Sequence, residues 1–458
     1  MLDCLHQSLP QTPLPPQEMN PEISTVSIDD FNVYQIDTEG KAQYIGELRA
    51  LLALHWDFQA HHFPKIMLKG NGRDGFYEDS YPWFLQDCKP EGYLGREFAR
   101  QNTWMNIGGN PNDWSDLMTM QFLSEAGWNL PGNFLIGETA RHIFKVVSRD
   151  VSIINENYPN PLYPIQATDL LTRDSAHKPP PPPQGSREEL MNIIIQMAHS
   201  KPGESSAGGE QPKFATAVLD PETKKPKHVI VKFSGQMDDL NPVSQRWSDL
   251  LHAEHTANEV LRKHGYSTAK TQVYHNIQGR TFLESERFDR IGRIGRIGLV
   301  SLNSLYTAHC DEEVETWGEA AINLHTAGLI SAEDKDTIID FYAFGMLIAN
   351  DDMHFRNLRF FLPTIEGEQF RLAPLYDMLP MHFRALPSGD VVNSGYYLPP
   401  PRPWEKKARS HMFLKAEEYW KQVAQNQLIP LEFRRTCLST WNSISDQHES
   451  HRRALPNE

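Results

Sequence analysis

Asn350-Asp351-Asp352-Met353-His354-Phe355-Arg356-Asn357, followed by Leu372-Ala373-Pro374-Leu375-Tyr376-Asp377, decides how this chain is read. An acid, Asp352, precedes an amide, Asn357, by five residues, and a second acid, Asp377, lies twenty residues beyond that amide. Those residue types in that order suit phosphoryl transfer. One carboxylate orients or deprotonates an attacking hydroxyl, while an amide and a second carboxylate hold Mg²⁺ against phosphates. Asp and Asn are also common turn residues, so the pattern gains meaning only from what surrounds it.

The surroundings are informative. Ile338 to Ala349 (IIDFYAFGMLIA) is mostly apolar and reads as a buried helix that delivers the acidic loop. Arg359-Phe360-Phe361-Leu362 and Phe370-Arg371-Leu372 read as a hairpin around Glu366-Gly367-Glu368. The spacing D-x-x-x-x-N is that of a protein-kinase catalytic loop, and Asp377 falls where a kinase carries its metal-binding acid. Helix, acidic loop, hairpin and second acid is the order of a kinase C-lobe.

Upstream, the pattern is β-rich. Glu188 to Ala198 is amphipathic and helical in period, and a small-residue loop with Gly208-Gly209 follows it. Phe214 to Leu219 and His228 to Phe233 read as strands around Asp220-Pro221-Glu222-Thr223. Leu250 to His264 reads as a helix closed by Gly265, and Thr271 to His275 and Arg280 to Glu284 read as further strands. From about residue 302 helices dominate. Lys232 ends a strand of β-branched residues, Val229-Ile230-Val231-Lys232-Phe233. An unpaired buried charge is costly, so a lysine there either finds an acid or faces water from an edge strand, and alternation permits both. Glu254 on the following helix is one candidate partner. Asp249 and Glu259 are equally available, and a solvated helix face is the simpler expectation for each.

Ser205-Ser206-Ala207-Gly208-Gly209-Glu210-Gln211-Pro212-Lys213 is neither G-x-G-x-x-G nor a Walker A sequence, but its small residues let backbone N–H groups approach phosphate oxygens. Phe282 to Arg290 ends a strand in a charged turn. Ile291-Gly292-Arg293-Ile294-Gly295-Arg296-Ile297-Gly298 reads as a flexible basic loop to which no chemistry is assigned.

The N-terminal part carries its own signals. Val33 to Ile45 alternates around Thr38-Glu39-Gly40 and predicts a hairpin. Leu48 to Trp56 is short and apolar, and is expected to be helical. Trp114 to Ala126 and Thr139 to Val146 fit helix or strand. The proline run Pro179 to Pro183 predicts an extended, stiff spacer. The expected division is a Pro-rich tail (1–25), an accessory region (26–178), a linker (179–186), a β-rich lobe (187–300) and a helical lobe (301–458).

Bulk properties bound the function. The 458 residues suffice for two or three domains, and a net charge of −15 disfavours broad nonspecific nucleic-acid binding. The four cysteines are far apart and form no C-x-x-C pair, so neither a zinc site nor a disulfide framework is expected. No run of about 18 apolar residues and no leader-like N-terminus occurs, so a cytoplasmic protein without a membrane partner is expected.

Taken together, five ordered motifs resemble those of the HipA-like kinases, bacterial toxin Ser/Thr kinases whose protein-kinase-like fold is related to the phosphatidylinositol kinases. They are the loop Ser206 to Lys213, the strand lysine Lys232, E-R-F-D-R at Glu286 to Arg290, N-x-D-x-H-x-x-N at Asn350 to Asn357, and P-x-Y-D at Pro374 to Asp377. They span residues 205 to 377, and the loop is most similar to that of YjjJ-type proteins. The resemblance implies an α+β, bilobal fold with a mixed β-rich N-lobe, a helical C-lobe and an N-terminal accessory region. It implies ATP and Mg²⁺ as cofactors and a protein substrate. Asp352 is then the catalytic acid, with Lys232 gripping phosphate and His354 organising the loop between acid and amide. Asn357 and Asp377 are the Mg²⁺ ligands. Ala207, Gly208, Gly209, Glu210, Gln211 and Lys213 cover the triphosphate, and Glu286, Arg287 and Phe288 form the adenine-contacting hinge. Ser205 or Ser206 is the expected autophosphorylation site, where a new dianion would compete with ATP phosphates and with Glu210. A helix-turn-helix antitoxin is an implied partner, whereas no such motif is visible before residue 33, so direct DNA binding by this chain is not expected. The competing reading is a pseudokinase or binding module acting through such a partner, and a small-molecule or lipid kinase is a third.

Overall fold

The computed structural model describes residues 27–52, 55–69, 75–102, 105–153, 211–219, 226–235, 242–275, 279–386, 388–393 and 395–454. The N-terminal tail, the proline run, the helix expected at Glu188 to Ala198, the turn at Asp220 to Thr223 and the loop Ser205 to Glu210 lie outside the described residues.

The accessory region is built on a five-stranded sheet. Its strands β1 (Ser27–Ile36), β2 (Ala42–Leu51), β3 (Trp56–Ala60), β4 (Phe76–Tyr77) and β5 (Phe134–Ile136) run in the order β4-β3-β2-β1-β5. The β1–β2 hairpin forms where the alternation predicts it. Asp37 Oδ1 accepts the backbone N–H groups of Glu39 and Lys41, both at 2.9 Å, so the carboxylate templates the turn. Gly40 has φ +83°, and a Cβ there would lie 2.4 Å from the Ile294 side chain, so the turn needs glycine for both conformation and close packing.

Leu48 to Trp56 is not helical. Residues 48–51 complete β2, and β3 begins at Trp56. Leu48 and Ala50 are buried, whereas Arg49 turns outward and pairs with Glu47 at 2.7 Å. That two-residue period won over the apolar composition because β2 sits between two hydrogen-bonded neighbours. Three helices complete the region: α1 (Gly92–Gln101), α2 (Asp116–Ala126) and α3 (Glu138–Ile153). Ser115 caps α2 by accepting from Met118 N.

The β-rich lobe is a four-stranded antiparallel sheet with one long helix. Strands β6 (Lys213–Leu219), β7 (Pro226–Phe233), β8 (Thr271–His275) and β9 (Thr281–Glu286) take the order β6-β7-β9-β8, and helix α4 (Pro242–Lys263) packs on them. Register places Lys213 opposite Lys232, and Lys232 opposite Leu283. Helix α4 starts eight residues before the predicted Leu250 and ends at Lys263, two residues before Gly265, whose φ is +89°.

The segment Arg290 to Arg296 is not a free loop. It forms the small hairpin β10 (Arg290–Ile291) and β11 (Gly295–Arg296), with both arginines buried. The helical lobe follows. Strand β12 (Leu299–Ser301) leads into α5 (Leu302–His309), α6 (Trp317–Thr326) and α7 (Ala332–Leu347). Strands β13 (Arg359–Phe361) and β14 (Arg371–Leu372) then pair as the predicted hairpin, with β12 beside β13. Helices α8 (Lys406–Gln425) and α9 (Leu431–Ala454) close the lobe. One large core runs from Phe31 and Trp56 through Trp83 and Leu250 to Phe344 and Trp420, so accessory region, α4 and helical lobe share buried surface. A smaller cluster of Val218, Val229, Val231, Phe233 and Phe282 fills the four-stranded sheet. No helix among the described residues is long and apolar enough to cross a membrane.

Candidate active site

Helix α7 aims the acidic loop. Ser331 caps its start by accepting from Asp334 N, and Glu333 and Asp334 complement the dipole of the first turn. Its C-terminal carbonyls are satisfied by the core. Tyr396 Oη donates to Met346 O at 2.6 Å, and Trp420 Nε1 donates to Leu347 O at 2.9 Å. The chain leaves the helix through Ala349 at φ +59°, and Asn350 N returns to Gly345 O at 2.9 Å. Gly345 lies under the loop, where an added Cβ would sit 2.2 Å from Met353 Sδ. Asn350 Oδ1 accepts from Asp352 N at 3.1 Å, and Asn357 Nδ2 donates to Asp352 O at 2.9 Å. The acid and the amide therefore belong to one hydrogen-bonded loop.

His354 contributes to that loop through its main chain. Its carbonyl accepts from Asn357 N at 3.0 Å and from Trp317 Nε1 at 3.2 Å, and among the described residues its imidazole makes no hydrogen bond. The organising role expected of the side chain is thus performed by the backbone.

Asp377 arrives from the other side. Leu375 N donates to Ser267 O at 3.0 Å and Leu375 O accepts from Ala269 N at 2.8 Å, which ties this segment to the end of α4. Asp377 itself has φ +55°, a left-handed conformation that costs an ordinary residue roughly 1 kcal/mol and that Asp tolerates better than most.

Lys232 lies between the lobes. Only 6% of it is exposed, and Nζ donates to Glu254 Oε1 at 2.7 Å and Oε2 at 2.6 Å, and also to Asp377 Oδ1. Glu254 is 1% exposed, so the solvated helix face expected for it is wrong. Asp249 is buried too, whereas Glu259 is the surface residue, paired with Arg262. A solvated face fails for Glu254 because α4 packs between the sheet and α8 of the helical lobe, and of the three helix acids Glu254 is the one that meets Lys232.

The electrostatics follow from this enclosure. Burial alone would lower the Lys232 pKa, but Asp377 and Glu254 outweigh it and hold the ammonium above its ordinary value. Burial would raise Asp377, yet Lys232 and Lys213 bring it down to about 2. Burial raises Glu254, with Lys232 opposing. Asp352 is also raised, first by burial and then by Asp377 and Asp351, against the pull of His354 and Arg384. Two carboxyls of one cleft are thus pushed in opposite directions, the pattern that separates a proton acceptor from a fixed anion.

Other expected site residues divide. Lys213 faces the same acids from the start of β6, and Gln211 is buried with its Nε2 lacking a partner among the described residues. Ser205, Ser206, Ala207, Gly208, Gly209 and Glu210 lie outside them. In the expected hinge, Glu286 N and Arg287 N already donate to Lys270 O and His228 O, each at 2.8 Å. Phe288 packs against Tyr376 and Phe361, with ring centroids 5.8 and 6.1 Å apart.

The Arg287 side chain turns away into a buried cluster that sequence reasoning missed. Asp289, 4% exposed, accepts from Arg287 Nε and Nη2 at 2.9 and 2.8 Å, from Arg290 Nη1 at 2.7 Å and from Gly132 N at 2.9 Å. Arg290 also donates to Leu130 O and Arg296 to Trp128 O, both at 2.7 Å. E-R-F-D-R thus fastens the accessory region to the end of β9. Arginines that bond to backbone carbonyls leave no periodic mark in a sequence.

Magnesium takes hard oxygen ligands, commonly one or two side-chain oxygens with water and phosphate completing the set. Asp377 offers a carboxylate. Asn357 has its Nδ2 anchored on Asp352 O, which leaves Oδ1 as its acceptor end. Among the described residues no group of three or more His, Cys, Asp or Glu forms a metal cage. Asp377 and Asn357 supply the one or two side-chain oxygens that a nucleotide-borne Mg²⁺ takes from a protein.

Comparison with known proteins agrees with this architecture. Residues 205–429 match the HipA-like C-terminal domain, and residues 27–145 match the middle domain of the YjjJ-like toxin. Toxin YjjJ of Escherichia coli (strain K12) is 29% identical over 409 residues, covering 89% of this chain and 82% of that protein. Among solved structures, HipA in the Shewanella oneidensis MR-1 HipA–HipB–operator DNA complex aligns with a TM-score of 0.50 at 14% identity, over 92% of this chain and 97% of its own. The bilobal, kinase-like α+β fold is common to both.

Proposed function

Since this chain belongs to the HipA-like family, of the YjjJ type, we propose that it is a toxin-type serine/threonine protein kinase. It transfers the γ-phosphoryl of ATP to a hydroxyl on a protein target and to its own glycine-rich loop. One observation carries the reading: Lys232 of the β-rich lobe, Glu254 of α4 and Asp377 of the helical lobe meet at one point, beside the loop that carries Asp352 and Asn357.

Each residue has a role that its environment supports. The Lys232–Glu254 pair keeps an ammonium extended and charged in a dry place, where it holds the α- and β-phosphates. Lys213 adds positive charge at the mouth. Asp352 accepts a hydrogen bond from the substrate hydroxyl and takes its proton as the bond to phosphorus forms. Its raised pKa makes it a better acceptor than an ordinary aspartate. Mg²⁺, when bound, neutralises triphosphate charge, and Asn357 and Asp377 are the residues that would hold it. Glu286 to Phe288 border the adenine site, where the Phe288 ring supplies an apolar wall.

Ser205 or Ser206 is the proposed self-modification site. The proposed regulatory partner is a helix-turn-helix antitoxin, by analogy with the HipA–HipB–DNA complex. Phosphoproteomics of cells expressing wild type against Asp352→Asn tests the reading and names the target. A set of Ser/Thr sites phosphorylated only with wild type is expected, and identical phosphoproteomes would reject kinase activity.

A further inference from the structure

Two acids of the accessory region reach the helical lobe beside the catalytic loop. Asp87 lies in the short 3-10 turn Trp83–Cys88, and Glu91 immediately precedes α1. Asp87 Oδ2 accepts from Ser301 N at 2.5 Å, and Asp87 Oδ1 faces Arg359 Nη1 at 3.6 Å, with both side chains largely buried. Arg359 Nε donates to Tyr376 Oη at 3.2 Å, and Tyr376 Oη donates to Arg356 O at 2.9 Å. Arg356 precedes Asn357, and Tyr376 precedes Asp377. Arg356 also pairs with Glu91, but that pair is exposed and contributes little.

Resting on the kinase reading above, we infer that Asp87 is a positioning residue. It fixes Arg359, and Arg359 holds the Tyr376 hydroxyl that bridges the two metal-ligand segments. The Asp87–Arg359 link is an ion pair without a hydrogen bond, and the two links beyond it are hydrogen bonds. Tyr376 Oη is the one side-chain group seen to join the catalytic loop to the residue before Asp377 among the described residues. Asp377 stands in a left-handed conformation, so the placement of its neighbour decides where its carboxylate points. Without Asp87, Arg359 is a largely buried guanidinium with one anchor fewer, free to leave Tyr376. The accessory region thereby supplies part of the geometry on which Mg²⁺ affinity depends.

Residues that orient metal ligands directly are typically worth 10- to 100-fold in metal affinity, and Asp87 acts one step further out. Calorimetry of wild type, Asp87→Asn, Tyr376→Phe and the double variant with AMP-PNP across a Mg²⁺ series reads the effect. Each single change is expected to raise the Mg²⁺ needed for half-maximal nucleotide binding by about three- to tenfold, and the double variant should be no worse than the weaker single. Asp87→Asn keeps an acceptor for Ser301 N, and Tyr376→Phe removes one oxygen, so folding is guarded in at least one variant. An unchanged Mg²⁺ requirement in Asp87→Asn or in Tyr376→Phe, or additive effects in the double, overturns the positioning role and leaves the kinase reading intact. No Mg²⁺-dependent nucleotide binding by wild type overturns both.

Discussion

Lys232 on β7 and Glu254 on α4 form a two-oxygen ion pair at 2.7 and 2.6 Å, with both side chains removed from solvent. Such a pair is weak evidence for stability. Desolvating two charges costs several kcal/mol per ion, and their attraction returns a similar amount. It persists in a protein chiefly where a charge is needed at that place. The third contact, to Asp377, points this charge into the cleft.

A stability experiment separates the pair's structural role from its functional one. Lys232→Met leaves Glu254 buried without its partner and should destabilise by about 3–5 kcal/mol in urea denaturation. Adding Glu254→Leu should recover most of that loss, because two apolar groups replace two charges. Nucleotide binding should stay absent in the double variant. Recovery of binding together with stability would show that the ammonium does not meet phosphate.

The acid limb of the rate profile should reflect Asp352. Burial lifts its pKa above the ordinary 3.8, so the folded carboxyl keeps its proton to a higher pH than a free aspartate does. As pH falls through that raised value the acceptor is protonated and kcat/KM should drop. Arg384 opposes the shift, so Arg384→Gln should move the limb further upward. A limb at or below the free-aspartate value, or one indifferent to Arg384, would be incompatible with Asp352 as the proton acceptor.

Gly345 offers a change whose effects on stability and activity should diverge. Alanine there gains roughly 1 kcal/mol of helix propensity, but its Cβ must displace Met353 Sδ. Met353 is a flexible side chain, so the net stability change should stay within about 1 kcal/mol. Met353 is also the neighbour of Asp352, and phosphoryl transfer should fall at least about tenfold, since small misplacements of reacting groups are costly. Melting temperature and single-turnover rate, measured on the same preparation, check this.

Asp289→Ala should be among the most damaging substitutions outside the cleft. It leaves the buried Arg290 and the half-buried Arg287 uncompensated, for an expected loss of about 3–5 kcal/mol in chemical denaturation. Limited proteolysis should then release the accessory region earlier than in wild type. A change below about 1 kcal/mol would mean that the cluster does not fasten the two parts.

The elements that were legible in the sequence share one property: local order. The α7 helix, the acidic loop and the β13–β14 hairpin are contiguous, so spacing and period exposed them. Lys232 stood out because a charge among β-branched residues is costly to bury unpaired, although alternation allowed either face. Glu254 did not, because α4 is buried on nearly every face and three acids along it look alike in one dimension. The stretch Leu48 to Trp56 misled for a related reason. It holds the end of one strand and the start of another, and its apolar content hid the two-residue period. Arg296 was read as part of a flexible basic loop and Arg290 as part of a charged turn, because their partners are the backbone carbonyls of Trp128 and Leu130, more than 150 residues away. Asp87 was invisible for its distance, since its partners Ser301 and Arg359 lie more than 200 residues away, and Tyr376 was seen only as part of the P-x-Y-D segment.

Transfer of label from γ-labelled ATP is the most direct measurement of the central claim. Purified wild type with Mg²⁺ should label itself and a protein in lysate, and Asp352→Ala should lose at least about 100-fold of that rate while still binding nucleotide. Equal incorporation by wild type and Asp352→Ala would contradict the account.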